Sequence, residues 1–220
     1  MPAALGLFVG AVLLFSGAVQ LVAALSAVEG QAILWELRRG HLVSPDDLGR
    51  AADRLGLADR VYMQGDRESD RGFALLRQAE LMTVGPYRDE IVAEATAATE
   101  RSLASAPGNP AAWARLAYLY ALDDRRDAAA RAIRMSFLSG PIVPVMQASR
   151  LSLGLRLLPH LDQQTVEMLR RQVRFTWLAT PDALVPIADD PRFGPFVRRS
   201  LSELDDADME NFVRRYSPMP

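Results

Sequence analysis

"NPAAWARLAYLYALDDRRDAAARAIRMSFLSGP", residues 109–141, decides the fold. Apolar and small residues recur at helical spacing on both sides of Asp123-Asp124, so the stretch reads as two short helices facing each other. Ala117 and Ala129 are the small side chains that let the two approach closely, and Asp123-Asp124 supplies the turn and a cap for the second helix. Such a pair cannot bury its apolar face alone. The segments on either side must therefore complete the core.

Those segments are helical as well. After residue 40 no stretch shows sustained period-two alternation, whereas the 3.6-residue period recurs. "SPDDLGRAADRLGLADR" begins with Ser44 as N-cap, Pro45 at the first helical position and Asp46 and Asp47 in the first turn, where they complement the free N–H groups. "SDRGFALLRQAELM" sets Phe73, Leu76 and Glu80 on one side and Leu75, Ala79 and Met82 on another. "DEIVAEATAATERSLASAPGN" runs to Pro107-Gly108. Residues 143–158 read as an apolar helix at the centre of the core. The next helix is capped by Asp162 and has Val166, Leu169, Val173 and Trp177 as its buried stripe, up to Pro181. Pro186, Pro191 and Pro195 break residues 181–204 into short pieces, and "DDADMENFVRRYS" forms a last helix. The sequence thus predicts an all-α protein: an anchor helix with its extension over 1–40, and a helical domain over 41–220.

The anchor is Pro2 to Val28, which carries no charged residue. About 20 apolar residues span the hydrocarbon core of a bilayer, so the run is long enough to cross with some tilt. "ALSA" at 24–27 resembles a signal-peptide cleavage site, but a basic leader is missing and the run exceeds the usual apolar length; a retained single-pass helix is expected. Arg38 and Arg39 after the span favour a cytoplasmic C-terminal domain by the positive-inside rule. Trp35 reads either as an interfacial anchor or as part of an apolar helix face. Gly6 and Gly10, four apart in "GLFVG", are candidates for close packing against a second membrane helix.

Composition narrows the chemistry. The chain has 220 residues and a formal charge of -2, with 25 basic side chains, every one an arginine. That balance gives no electrostatic footprint for nucleic acid. Abundant alanine and arginine without lysine point to a GC-rich bacterial genome. With no cysteine, disulfides, thiolate metal sites and a cysteine nucleophile are ruled out.

Residues 109–141 resemble a tetratricopeptide repeat. Trp113 takes the early aromatic place, Leu116, Ala117 and Tyr120 follow at the family's spacing, Ala129, Ile133 and Ser136 form the second helix's face, and Pro141 ends the unit. One repeat back, the register meets Ala95 and Pro107 but has Ala79 where the aromatic belongs. The resemblance implies an α-solenoid of helical hairpins that binds other proteins, with flanking helices completing the stack. Over about residues 68–200 the chain also resembles a membrane-anchored bacterial family associated with exopolysaccharide biosynthesis. The residues that carry this are "PGNPAAWARLA" at 107–117, "SFLSGP" at 136–141, "SRLSLGL" at 149–155 and "RRQVRFTWLATPDAL" at 170–184. It implies a helical accessory protein of the inner membrane with a periplasmic domain, against the cytoplasmic side favoured by Arg38 and Arg39.

Residues for catalysis are scarce. His41 and His160 lack a second histidine or carboxylate at ligand spacing, so no metal is expected; His160 reads as a helix-end cap. Asp206, Asp208 and Glu210 start like a calcium loop, but Asn211 and Ser217 replace its required glycine and glutamate. Asp189-Asp190 and "RRQVR" at 170–174 read as solvated charge. No phosphate-binding loop or nucleophile elbow occurs. No cofactor and no small-molecule substrate are therefore expected. The partner-binding candidates are Tyr118, on the helix that would line a groove, and Arg150, after the "SGP" corner. The expected function is a non-enzymatic scaffold for protein–protein interaction. The alternatives are a structural subunit of a stable membrane complex and an enzyme acting on an envelope polymer; the last requires a polar pocket at a histidine or a pair of acid groups.

Overall fold

A computed structural model describes residues 2–62 and 64–202, and every regular element among them is helical. The helices are α1 (Pro2–Arg38), α2 (Pro45–Val61), α3 (Gly65–Glu80), α4 (Pro86–Ser105), α5 (Pro110–Leu122), α6 (Arg126–Ser139), α7 (Gln147–Arg156), α8 (Gln163–Ala179), α9 (Pro181–Asp189) and α10 (Gly194–Leu201). Single 3-10 turns at Pro144–Met146 and Leu158–His160 flank α7. The helix expected at 205–217, with its acidic cluster, lies outside the described residues. By contact the chain divides into two compact units, Met1–Gly108 and Asn109–Pro220. The anchor segment is thus part of the first unit.

In the first unit α1 packs on α2, α2 on α3, and α3 on α4. The α2–α3 pair is antiparallel, with Gly49 against Gln78 and Gly56 against Arg71. Ser44 caps α2 as expected, its hydroxyl accepting from the Asp47 amide at 3.1 Å. Two glycines set how closely the helices pass. A side chain on Gly72 would lie 2.5 Å from the Thr99 hydroxyl on α4, and one on Gly30 would lie 2.8 Å from the Ala51 carbonyl on α2. Both sites are closed to any Cβ without displacement of the neighbour.

The second unit starts with the opening hairpin. Asn109 caps α5 by accepting from the Ala111 and Ala112 amides at 3.0 and 3.1 Å. Leu116, Ala117, Ala129 and Ile133 are buried between α5 and α6, as their spacing predicts. Ser136 donates to the Pro110 carbonyl at 2.8 Å, closing the hairpin's open end. The aspartate pair makes the turn but does not cap α6. Asp124 adopts the left-handed conformation at φ 54°, which Asp tolerates better than most residues, and the residue at the N-cap of α6 is Arg125. Around this hairpin Leu151, Leu155, Leu169, Val173, Leu184 and Val197 form the core.

Three expectations need correction. The segment 143–158 is not one helix; Pro144 confines its start to a 3-10 turn and α7 begins at Gln147. The buried face of α8 is Thr165, Leu169, Gln172, Val173 and Thr176, so Val166 and Trp177 lie at its border. Pro186 does not break the chain but lies inside α9. The earlier, degenerate repeat also fails in register. Trp113 is in the first turn of α5, whereas Ala79 is in the last turn of α3.

Candidate functional site

Three places have the makings of function: the free length of α1, the corner between α6 and α7, and the few titratable clusters.

Among the described residues one helix is long and apolar enough to cross a membrane, over Phe8–Arg38. Its contacts are unequal along its length. Ala23, Ala27, Gly30 and Leu34, spaced four, three and four, form one buried stripe facing α2. N-terminal to it the helix stands alone: Cβ atoms placed on Gly6, Gly10 and Gly17 would meet nothing within 4 Å. Phe8, Leu13, Leu14 and Phe15 are exposed there. Gly6 and Gly10 therefore touch no other described part of this chain.

Arg150 does not face a groove. It is 1% exposed, the largest fully buried side chain in the described chain. Its guanidinium donates to the Gly140 carbonyl at 2.8 Å and to Gln172 Oε1 at 3.4 Å, and lies over the Phe137 ring at 5.1 Å. Gln172 in turn donates to the Pro141 carbonyl at 2.8 Å, and Gln147 donates to Gln172 Oε1 at 2.8 Å. Among the described residues no carboxylate pairs with Arg150, and burial lowers its pKa to about 10. The physical reason for its placement is the corner. "SGP" leaves α6 with two part-buried carbonyls and no helix to receive them, and such carbonyls take donors where they can. Arg150 and Gln172 supply them. The clamp fixes the adjoining loop, where Ile142 is 59% and Val145 94% exposed. The sequence pointed to Arg150 but not to its inward direction. Gln172, its partner from α8, carried no motif. The signal for it was its place beside Leu169 and Val173 on the inward face of α8.

Tyr118 is half-buried on α5 and is not joined to Arg150 by any hydrogen bond or ring contact among the described residues. The arginines of "RRQVR" are not a free basic patch. Arg170 lies over Phe196, 5.9 Å from its ring centre, and Arg174 donates to the Ser200 carbonyl at 3.4 Å, so both hold α10 against α8.

The histidines have partners that sequence distance concealed. His41 is paired with Glu36. His160, on the 3-10 turn after α7, meets Asp127 of α6 at 2.9 Å through Nδ1 instead of capping carbonyls. Arg131, Arg134, Asp162 and Thr165 join them around a cavity of about 260 Å³. A polar pocket beside a histidine is thus present. Asp162, which caps α8 through the Thr165 amide at 2.7 Å, is held below the usual carboxylate range first by its bonds to Thr165 and then by Arg134. No group of three or more metal-ligating side chains occurs among the described residues.

Glu68 is the one buried acid among the described residues of the first unit. Burial raises its pKa, and a hydrogen bond to Asp59 raises it further, against the opposing pull of Arg101 and Arg71. Arg101 donates to it at 3.0 Å. Asp59, Arg60, Arg71 and Arg101 surround it at a cavity of about 330 Å³. Mixed charges in this arrangement tie α2, α3 and α4 together. No protein-family model matches the chain, and no curated protein is significantly similar to it.

Proposed function

We propose that this protein is a single-pass, membrane-anchored helical scaffold that holds partner proteins at a bacterial inner membrane, in an assembly of the kind that makes envelope polysaccharide. The carrying observation is the division of labour within α1. Its N-terminal part has open space at Gly6, Gly10 and Gly17, and its C-terminal half is packed on α2 through Gly30. An apolar helix left bare in one part and fixed in another is what an anchor rigidly joined to its cargo requires. The polysaccharide setting rests on the resemblance over residues 68–200 alone. The α5–α6 hairpin is the tetratricopeptide-like element of the scaffold. Its partner-facing surface is the corner at Ile142 and Val145, held still by Arg150 and Gln172. A preorganised apolar loop binds without the ordering cost that a mobile one incurs.

Detergent extraction and affinity capture through the C-terminus test this. A polysaccharide synthase or exporter should co-purify, and Ile142→Glu with Val145→Asp should lose it while the helical circular dichroism is unchanged. Capture of the protein alone would sink the scaffold reading. The open space around Gly6 and Gly10 favours a second reading, a subunit of a stable complex. In that case Gly6→Leu with Gly10→Leu removes partners, and the wild type purifies at fixed stoichiometry. The pocket at His160 keeps an enzyme in view; retention of full function by His160→Ala would dismiss it. The chain has no cysteine, so maleimide labelling of Leu42→Cys in intact cells reads the side of the membrane directly.

A further inference from the structure

The bare part of α1 ends at a definite place. Gln20, Leu21 and Ala24 line a cavity together with Tyr62, Gln64, Gly65 and Arg67, which form the corner between α2 and α3. Beyond that corner, toward the N-terminus, Gly17, Gly10 and Gly6 have no neighbours. The segment 2–19 therefore lies N-terminal to the corner-lining Gln20, with open space at Gly6, Gly10 and Gly17. At 1.5 Å per residue its length is about 27 Å, close to the ~30 Å hydrocarbon thickness of a bilayer. With residues 2–19 as the crossing part, that length sets the corner at the level of the lipid headgroups.

The corner's chemistry suits that level. Val61 and Tyr62 are each 43% exposed. An exposed tyrosine beside an aliphatic residue is the composition of an interfacial belt, where the ring is buried among acyl ends and the hydroxyl stays wet. Arg67, itself buried, donates to the Tyr62 carbonyl at 2.9 Å and to the Ala58 carbonyl at 3.4 Å, and the Gln64 amide donates to Asp59 at 2.8 Å. Trp35 is exposed but lies about 22 Å along the helix from Gln20 by its rise per residue, too far to share the same interface.

We infer that the α2–α3 corner, through Val61 and Tyr62, rests on the bilayer surface as a second, peripheral membrane contact, so that the first unit stands on the membrane. The inference depends on α1 being the anchor. The occupant is the lipid interface itself, because the corner is continuous with the helix that enters it. An aromatic and an aliphatic side chain need no particular headgroup.

The test uses the full chain in phosphatidylcholine vesicles, with single cysteines carrying an environment-sensitive nitrobenzoxadiazole label. Tyr62→Cys and Gln64→Cys should show blue-shifted emission and quenching by nitroxide at a shallow acyl position. Leu42→Cys and Val84→Cys should show neither. Leu13→Cys should be quenched only by a deep nitroxide. If Leu13→Cys is deep while both corner labels stay water-exposed, the corner inference is overturned and the anchor stands. If Leu13→Cys is also unquenched, the anchor fails and the corner contact fails with it. Circular dichroism of each labelled protein confirms that the comparison is made on folded chains.

Discussion

A single residue, Arg150, shows how a charged side chain serves as internal structure. It is fully buried, yet it answers a need no leucine meets: it donates to the Gly140 carbonyl at the end of α6 and to Gln172, which serves the Pro141 carbonyl. Arg150→Ala should cost about 3 kcal/mol, from a cavity and unpaired acceptors together. Arg150→Met keeps most of the volume and removes the buried charge, and should cost clearly less. Urea unfolding of the two variants distinguishes clamp from filler. Glu68 is the residue-scale pH device. Burial raises its folded pKa above the ordinary carboxylate value, so the folded state holds the proton more tightly than the unfolded one. Its contribution is full below the unfolded value and is lost as pH rises through the folded one. Glu68→Gln should flatten the decline of the urea midpoint across that window; an unchanged slope would assign the pH dependence elsewhere. Glycines divide in the same way by surroundings. Gly30→Val presses on the Ala51 backbone and should destabilise the first unit by about 1–3 kcal/mol, whereas Gly10→Leu should leave unfolding unaltered.

At the scale of elements, caps carry much of the definition. Asn109→Ala should destabilise the second unit by about 1 kcal/mol, because two α5 amides lose their acceptor; thermal melts monitored by circular dichroism measure it. The sequence made most of these elements legible. Ser44, Pro45, Asp162 and Pro181 each mark a boundary found in the structure, because capping is local chemistry. The burial of Ala117 and Ala129 was legible for the same reason, being two small residues on one short hairpin. What remained hidden was non-local. Gln172 bonds to a carbonyl 31 residues away and His160 to an acid 33 residues away, and no helical period encodes either. The α8 stripe was misjudged because period alone selects apolar residues. The fold instead buries Thr165, Gln172 and Thr176 on that face, and Gln172 turns inward to serve the corner. Pro186 was expected to end a helix, and α9 absorbs it within its nine residues. Of the candidate site, the corner's position was visible in "SGP" but its orientation was not.

At the scale of the whole molecule, the described chain holds two compact units, the first of which includes the membrane-competent helix. A soluble fragment starting at residue 41 would strip α2 of the helix that lies against Ala51 and Leu55. It should therefore aggregate or melt at lower temperature than the full chain in detergent, which differential scanning fluorimetry would report. A fragment starting near residue 20 keeps the Ala23–Leu34 stripe and should fold. Should both fragments melt alike, the packed half of α1 contributes nothing to the first unit.

The continuity of α1 has a mechanical meaning. Its 37 residues form one uninterrupted helix, a lever about 55 Å long by its rise per residue. A tilt of roughly 10° about one end displaces the other by about 10 Å over that length. With α1 as the proposed anchor, bilayer thickness would be converted into the height and lean of the first unit, which is packed on the helix's far half. Energy transfer from a dye at Leu42→Cys to acceptors in the membrane should change between short-chain and long-chain lipids. A glycine-serine insertion after Val19 would uncouple the two ends and erase the change.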